Sequence, residues 1–234
     1  MIDIHCHILP DIDDGPRTMQ ESLEMARIAV ADGIKTIIAT PHHNSPYVDS
    51  QPAAVVLNRV EELREELRRH AIPLEILPGQ EIHITETIVE DILQGRSLTL
   101  NNAGKYALIE MPSDSVPFYV RQVVEELKGN GITAIIAHPE RNRQVQQDPS
   151  VLEQLIDAGA LGQITAGSLL GQFGSSAEKS ARELLRYGHV HVIASDGHSR
   201  GRPPVLAEAF RAVDGLASDG ICVLEEEVIE RRNT

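Results

Sequence analysis

The chain has 234 residues, of which 41% are hydrophobic and only 3% aromatic, and its formal charge is −14. That length suits one α/β barrel as a single unit, with a core that must be built from Ile, Leu, Val and Ala. The acidic balance argues against a nucleic-acid-binding surface, which needs clustered Lys and Arg, and no apolar run reaches the roughly 18 residues of a membrane helix.

Cys6 and Cys222 form neither a CxxC pair nor a disulfide framework. With no signal-peptide pattern, the expectation is a soluble, reducing, cytoplasmic protein. An acidic protein of this kind can still hold an anionic substrate if metal ions supply local positive charge.

The first strand carries His5 and His7, two residues apart and therefore on one face, with Cys6 on the other. A loop of carboxylates and turn residues follows, from Leu9 to Gly15, and includes Asp13 and Asp14. Thr18 and Glu21 have the spacing of a capping box, which predicts a helix with Met19, Leu23, Ala26 and Val30 on one face and Gly33 at its end. Next comes an apolar strand over 36–40 that runs into Pro41, His42 and His43. Val56, Val60, Leu63 and Leu67 then recur at helical spacing.

The alternation continues to the end of the chain. Predicted strands over 75–77, 106–109, 133–137, 161–165 and 191–195 lead toward Glu81, Glu110, His138, a Gly/Ser-rich loop and Asp196. The helices between them are expected around Thr87 to Leu93, Phe118 to Leu127, after Asp148 and Pro149, and over Ala177 to Arg186. Further helical patterns start at Val205 and Ser218. Seven β-then-α units with uninterrupted apolar strands predict a parallel sheet buried on both faces, closed as one incomplete barrel over residues 1–234. A doubly wound open sheet is the competitor, and its dinucleotide version is disfavoured because no GxGxxG follows the first strand.

His5, His7, His42, Glu81, Glu110, His138, Asp196 and His198 all fall at or just past a predicted strand end. In a barrel these ends converge on the face that carries the active site. His138 alone would read as a turn histidine beside Pro139, and Glu81 alone as a charge at a helix N-terminus. Eight such residues on six of the seven strands make a collective metal site the better reading. Mixed imidazole and carboxylate donors suit Zn, Mn, Fe or Co, and there are too many of them for one ion, so two or three ions are expected. His43, His70, His83, His189 and His191 are expected to be structural or solvated, and so are the charged faces around Glu61 to Arg69 and Glu225 to Glu227.

Thiolate, serine-hydrolase and P-loop chemistries fail on spacing. A cysteine-phosphatase loop needs Arg six residues after Cys, but Ile12 follows Cys6 and Val228 follows Cys222 at that distance. There is no GxSxG elbow and no GxxxxGK loop.

The motifs around His5 to Pro10, Asp13 to Gly15, Ala39 to His43, Pro78 to Ile82, His138 to Asn142 and Ser195 to His198 closely resemble the PHP (polymerase and histidinol phosphatase) superfamily. Within it they resemble the bacterial tyrosine-protein phosphatases associated with capsule and exopolysaccharide synthesis, a likeness that the segment from Gln163 to Gly174 strengthens. The resemblance covers Met1 to about Ala209 and implies a distorted (β/α)7 barrel of PHP type with a trinuclear, phosphoester-hydrolysing centre. It places His5, His7, Glu81 and Asp196 on a first ion, and Glu81, Glu110 and His138 on a second. A third would take His42, His198 and either Asp13 or Asp14; manganese is the leading metal. Arg141 and Arg202 match the family's phosphate-contacting arginines, and Gly197 and Ser199 depart from bulkier family residues.

The implied reaction is hydrolysis of phosphotyrosine by a metal-bridging hydroxide, since metal binding can lower the pKa of water from 15.7 to about 7. The implied partner is a bacterial tyrosine kinase that controls polysaccharide export. Three alternatives stand beside it: a small phosphomonoester such as histidinol phosphate as substrate, an amidohydrolase-type barrel, and a metal-stabilised scaffold. The amidohydrolase reading is weakened because none of Lys35, Lys105, Lys128 and Lys179 sits at a strand end.

Overall fold

The computed structural model describes residues 1–49 and 51–213. The expected helix from Ser218, Cys222 and the acidic run from Glu225 to Glu227 lie outside the described residues. Among the described residues there are nine strand segments: β1 (Ile2–Cys6), β2 (Thr36–Ala39), β3 (His42–His43), β4 (Glu75–Pro78), β5 (Glu81–His83), β6 (Tyr106–Glu110), β7 (Thr133–Ala137), β8 (Leu161–Thr165) and β9 (Val192–Ala194). All their pairings are parallel, in the orders β1-β2-β4 and β3-β5-β6-β7-β8-β9.

These segments make seven staves, because β2 and β3 form one broken stave and β4 and β5 another. The sequence predicts only the first half of each, over 36–40 and 75–77, and not β3 or β5. Pro41 has no N–H to continue the ladder, so β2 ends at Ala39 and pairing resumes at His42. In the other stave, a Cβ on Gly79 would lie 2.9 Å from the Ile38 side chain, so the chain passes there only with glycine. The ring closes where Asp196 N–H donates to the His5 carbonyl and His7 N–H to that of Gly197, both at 2.8 Å.

The barrel interior has two levels. The lower one is aliphatic, with Ile4, Ile38, Leu77, Leu108, Ile135 and Val192 packed together. Helices α1 (Met19–Asp32), α2 (Ala53–Arg69), α3 (Ile88–Leu93) and α4 (Val120–Gly129) cover the outside, and their buried stripes pack on the opposite face of the strands. All four residues of the predicted α2 stripe, Val56, Val60, Leu63 and Leu67, are buried. Truncating Leu63 or Leu67 to alanine would cost about 2–5 kcal/mol. The upper level of the interior is filled by the polar residues of the strand ends.

Local signals explain some of the helix boundaries. Thr18 Oγ1 accepts the Glu21 N–H at 3.3 Å, and Gly33 ends α1 with φ 94°. The returning Glu21 carboxylate accepts the Arg17 N–H instead of that of Thr18. Helix α5 (Arg143–Gln147), absent from the sequence reading, is capped by Asn142, whose side chain accepts the Val145 N–H. It is followed by α6 (Ser150–Ala158), α7 (Ala166–Leu169), α8 (Ser175–Arg186) and α9 (Ala207–Val213). Phe118, expected inside a helix, lies before α4 and is 93% exposed. Among the described residues no helix is long and apolar enough to cross a membrane.

Candidate metal centre

A β-bulge sets the first two histidines. Between Asp3 and Cys6 the register of β1 against β2 shifts, so Ile4 and His5 together face Ile38. Ile4 can thus fill the lower core while His5, and then His7, turn toward the polar level above it. The two imidazoles meet with their Nε2 atoms 3.2 Å apart.

Glu81 lies at the hub. Its Oε2 is 3.3 Å from both His5 Nε2 and His7 Nε2 and 3.1 Å from His42 Nδ1, and its Oε1 is 2.7 Å from His138 Nε2. This carboxylate is buried, yet Oε2 and His42 Nδ1 have no hydrogen-bond partner. Buried polar atoms without partners are costly. Two unsatisfied ligand atoms that face each other across 3.1 Å suit a cation between them.

The surrounding donors form overlapping sets that could each hold an ion: His5, His7 and Glu81; His5, His138 and Asp196; His42, Glu81 and Glu110; and His7, Asp14, His42 and His198. Nine of the ten candidate ligands come together in these sets. His42 joins Glu110 beside Glu81, whereas His138 sits on the His5 and Asp196 side. His138 and Asp196 both leave their strands in the left-handed region, at φ 33° and 52°. Side chains rarely adopt this backbone, and its strain is usually tolerated where it aims a functional group.

The tenth candidate, Asp13, stands apart. Its Oδ2 is 2.7 Å from His7 Nδ1 and accepts the His42 N–H, while its Oδ1 accepts the Gly15 N–H. Asp14 instead presents Oδ1 to His198 Nε2 at 3.4 Å and to His42 Nε2 at 3.6 Å. The loop can fold back this tightly because residue 15 is glycine: a Cβ there would lie 2.3 Å from the His7 carbonyl oxygen. Gly197 has a similar reason, since its Cβ would press on the Pro204 backbone at 2.8 Å.

The charges are strongly coupled. Burial alone would raise the pKa of Glu81, but His5 and His138 outweigh it and hold the carboxyl well below its usual range. Asp196 behaves likewise, against Arg141, His5 and Arg202. Burial pulls His7 down, yet the Asp13 and Glu81 carboxylates leave it well above the usual imidazole value. Arg141 and Arg202 both reach Asp196 Oδ2. Their guanidinium carbons lie 4.7 and 4.9 Å from the centre of the Phe173 ring, which gives two like charges a shared aromatic face.

Three contacts were missed by the sequence reading. His83 Nδ1 lies 3.1 Å from Glu110 Oε2, although His83 was expected to be structural or solvated. The alternation that pairs His5 with His7 also puts Glu81 and His83 on one face, so this signal was present. Gln163 Oε1 meets His5 Nδ1 at 3.0 Å from β8, the one stave without a histidine or carboxylate at its end. Glu140, fully buried, accepts the Thr165 N–H and the Ser168 hydroxyl and so ties the loop bearing Arg141 to the next stave.

Comparison with known proteins agrees with this architecture. YwqE from Bacillus subtilis, a tyrosine-protein phosphatase, is 47% identical over 199 residues, covering 85% of this chain and 78% of that protein. A crystal structure from work on YwqE and on CpsB from Streptococcus pneumoniae, described as unique metal-dependent tyrosine phosphatases, superposes with a TM-score of 0.92 at 39% identity. It covers 98% of this chain and 94% of that one. The histidinol phosphate phosphatase of Lactococcus lactis, at 15% identity and a TM-score of 0.56 over 92% of this chain and 91% of its own, shares the fold. The model of the capsular polysaccharide synthesis family CpsB/CapC matches residues 1–222, and the chain belongs to that family.

Proposed function

We propose that this protein is a metal-dependent protein-tyrosine phosphatase, and that the strand-end cluster is its catalytic centre. The observation that carries this reading is the Glu81 carboxylate, ringed by four imidazoles with one oxygen unsatisfied, next to two arginines that converge on Asp196. Its YwqE relative is named for the same activity.

The ligands proposed are His5, His7, Asp14, His42, Glu81, Glu110, His138, Asp196 and His198, holding two or three divalent ions, with manganese first. Asp13 is assigned a supporting role: it accepts from His7 Nδ1 and fixes which ring nitrogen faces the centre. Bound divalent ions supply Lewis-acid activation of water and neutralise phosphate charge. Burial disfavours protonation of His5 and His7, but Glu81 favours it and faces their Nε2 atoms, for which a divalent cation would compete, so loading would release protons. Arg141 and Arg202 offer forked donors to the phosphate oxygens and exchange Asp196 for substrate. Phe173 keeps both guanidiniums in place while they do so.

A thiol nucleophile fits poorly. Cys6 is fully buried, its Sγ lies 3.4 Å from the Gly197 carbonyl, and burial pushes its pKa well above the usual thiol value. The physiological substrate is assigned to a bacterial tyrosine kinase of the polysaccharide export machinery, in keeping with the family. The test compares kcat/KM for a phosphotyrosine peptide and for histidinol phosphate, with the Cys6→Ser variant alongside. The reading predicts a clear preference for the peptide and near-normal turnover in Cys6→Ser. Equal or better turnover of the small ester, or loss of activity in the cysteine variant, would overturn it.

A further inference from the structure

A cavity of about 210 Å³ opens beside the metal cluster. Its lining includes Glu110, His138 and Arg141, groups already placed at the centre. Met111, Pro112 and Ala137 add apolar surface to the same lining, and Tyr47 joins it from the loop after β3. A volume this far below the roughly 300–1,000 Å³ of drug-sized pockets admits one side chain rather than a folded surface.

Tyr47 is 84% exposed in a protein with only seven aromatic residues. Its loop, between β3 and α2, is tied at both ends to one buried residue. Gln80 Nε2 lies 3.3 Å from His43 Nδ1, before Tyr47, and donates to the Gln51 carbonyl at 3.1 Å, after it. Gln80 Oε1 accepts the Leu98 N–H at 2.8 Å, which fixes the side-chain amide itself. Gln80 directly precedes Glu81, so the loop that carries Tyr47 and the hub of the cluster share one anchor.

Resting on the phosphatase reading above, we propose that this cavity is the slot for the phenyl ring of the substrate, and that Tyr47 is its specificity-determining residue. A phosphate held by Arg141 leaves its ester group in this cavity, where a planar aryl group covers Tyr47, Met111 and Pro112. An alkyl phosphate reaches the same charges but leaves the Tyr47 face uncovered. Ring–ring contact adds to the gain from area burial, so the slot selects aryl over alkyl esters.

The experiment measures kcat/KM for phenyl phosphate and n-butyl phosphate with the metal-loaded wild type and with Tyr47→Ala, Tyr47→Phe and Ser113→Trp. Ser113 lines the cavity from an exposed position, so tryptophan there fills the slot without disturbing the core. The aryl-to-alkyl ratio is expected to fall about tenfold, or about 1.4 kcal/mol, in Tyr47→Ala and Ser113→Trp, mainly through KM for the aryl ester. Tyr47→Phe retains it. A ratio unchanged in Tyr47→Ala and Ser113→Trp, with an active wild type, overturns the slot alone. A wild type inert toward both esters overturns the phosphatase reading, and the slot with it.

Discussion

His7 Nδ1 and Asp13 Oδ2 lie 2.7 Å apart, which separates two adjacent aspartates that the sequence leaves equivalent. Asp13 spends its oxygens on His7, Gly15 and the His42 backbone, while Asp14 turns one toward His42 and His198. Asp14→Asn should therefore lower the number of ions bound per chain at saturating metal. Asp13→Asn should keep the full number but weaken affinity by about 10–100-fold, the usual cost of losing a partner behind a ligand histidine. Metal titration followed by elemental analysis distinguishes the two. Identical behaviour of the variants would contradict the assignment.

Gln163 holds His5 from behind in a similar way, through Nδ1 at 3.0 Å. Gln163→Leu preserves much of the volume and removes the acceptor. A drop of about 10–100-fold in metal affinity is expected, with an otherwise normal fold by circular dichroism. Unchanged affinity would reduce Gln163 to a packing residue.

Phe173 carries two guanidiniums on one ring. Phe173→Leu keeps an apolar contact and removes the π face, which is worth about 1 kcal/mol. KM for a phosphotyrosine peptide should rise about fivefold, since 1.4 kcal/mol is tenfold, and the inhibition constant of inorganic phosphate should rise in parallel. If kcat alone fell, the ring would be acting on something other than anion binding.

His191 offers a pH test remote from the cluster. Burial lowers its pKa, and its Nδ1 accepts the Gly162 N–H at 3.1 Å, which requires that nitrogen to be unprotonated. A histidine with a lowered folded pKa contributes stability above its unfolded value of 6.5, and this is lost as pH falls through the folded value. His191→Leu should lower Tm most near pH 7.5, where an unsatisfied buried N–H costs about 1–3 kcal/mol, and the gap to wild type should narrow near pH 5. Chelator-stripped protein is used for both arms, so the ligand histidines titrate alike. A gap that widens in acid would contradict this sign.

The strand ends were legible because a barrel delivers the residues after every parallel strand to one face, so donor type and position in the chain suffice. Glu81 and His138 needed no more than that. The contacts of Asp13 and Gln163 were not legible because each is made to a histidine's second nitrogen, one set by loop closure over Gly15 and the other by the barrel, which brings β8 within reach of His5 on β1. The bulge in β1 was hidden for another reason: alternation predicts the same face for His5 and His7 whether or not Ile4 also turns inward. Phe118 misled because an apolar residue in helical phase resembles a stripe position even when the helix starts two residues later, at Val120.

Metal dependence tests the central claim most directly. The protein is stripped with chelator, its metal content is measured, and turnover of a phosphotyrosine peptide is followed as manganese is restored. The prediction is negligible turnover in the stripped protein and recovery as two or three ions bind per chain, with Glu81→Gln unable to recover. Full phosphotyrosine turnover by metal-free protein would contradict it.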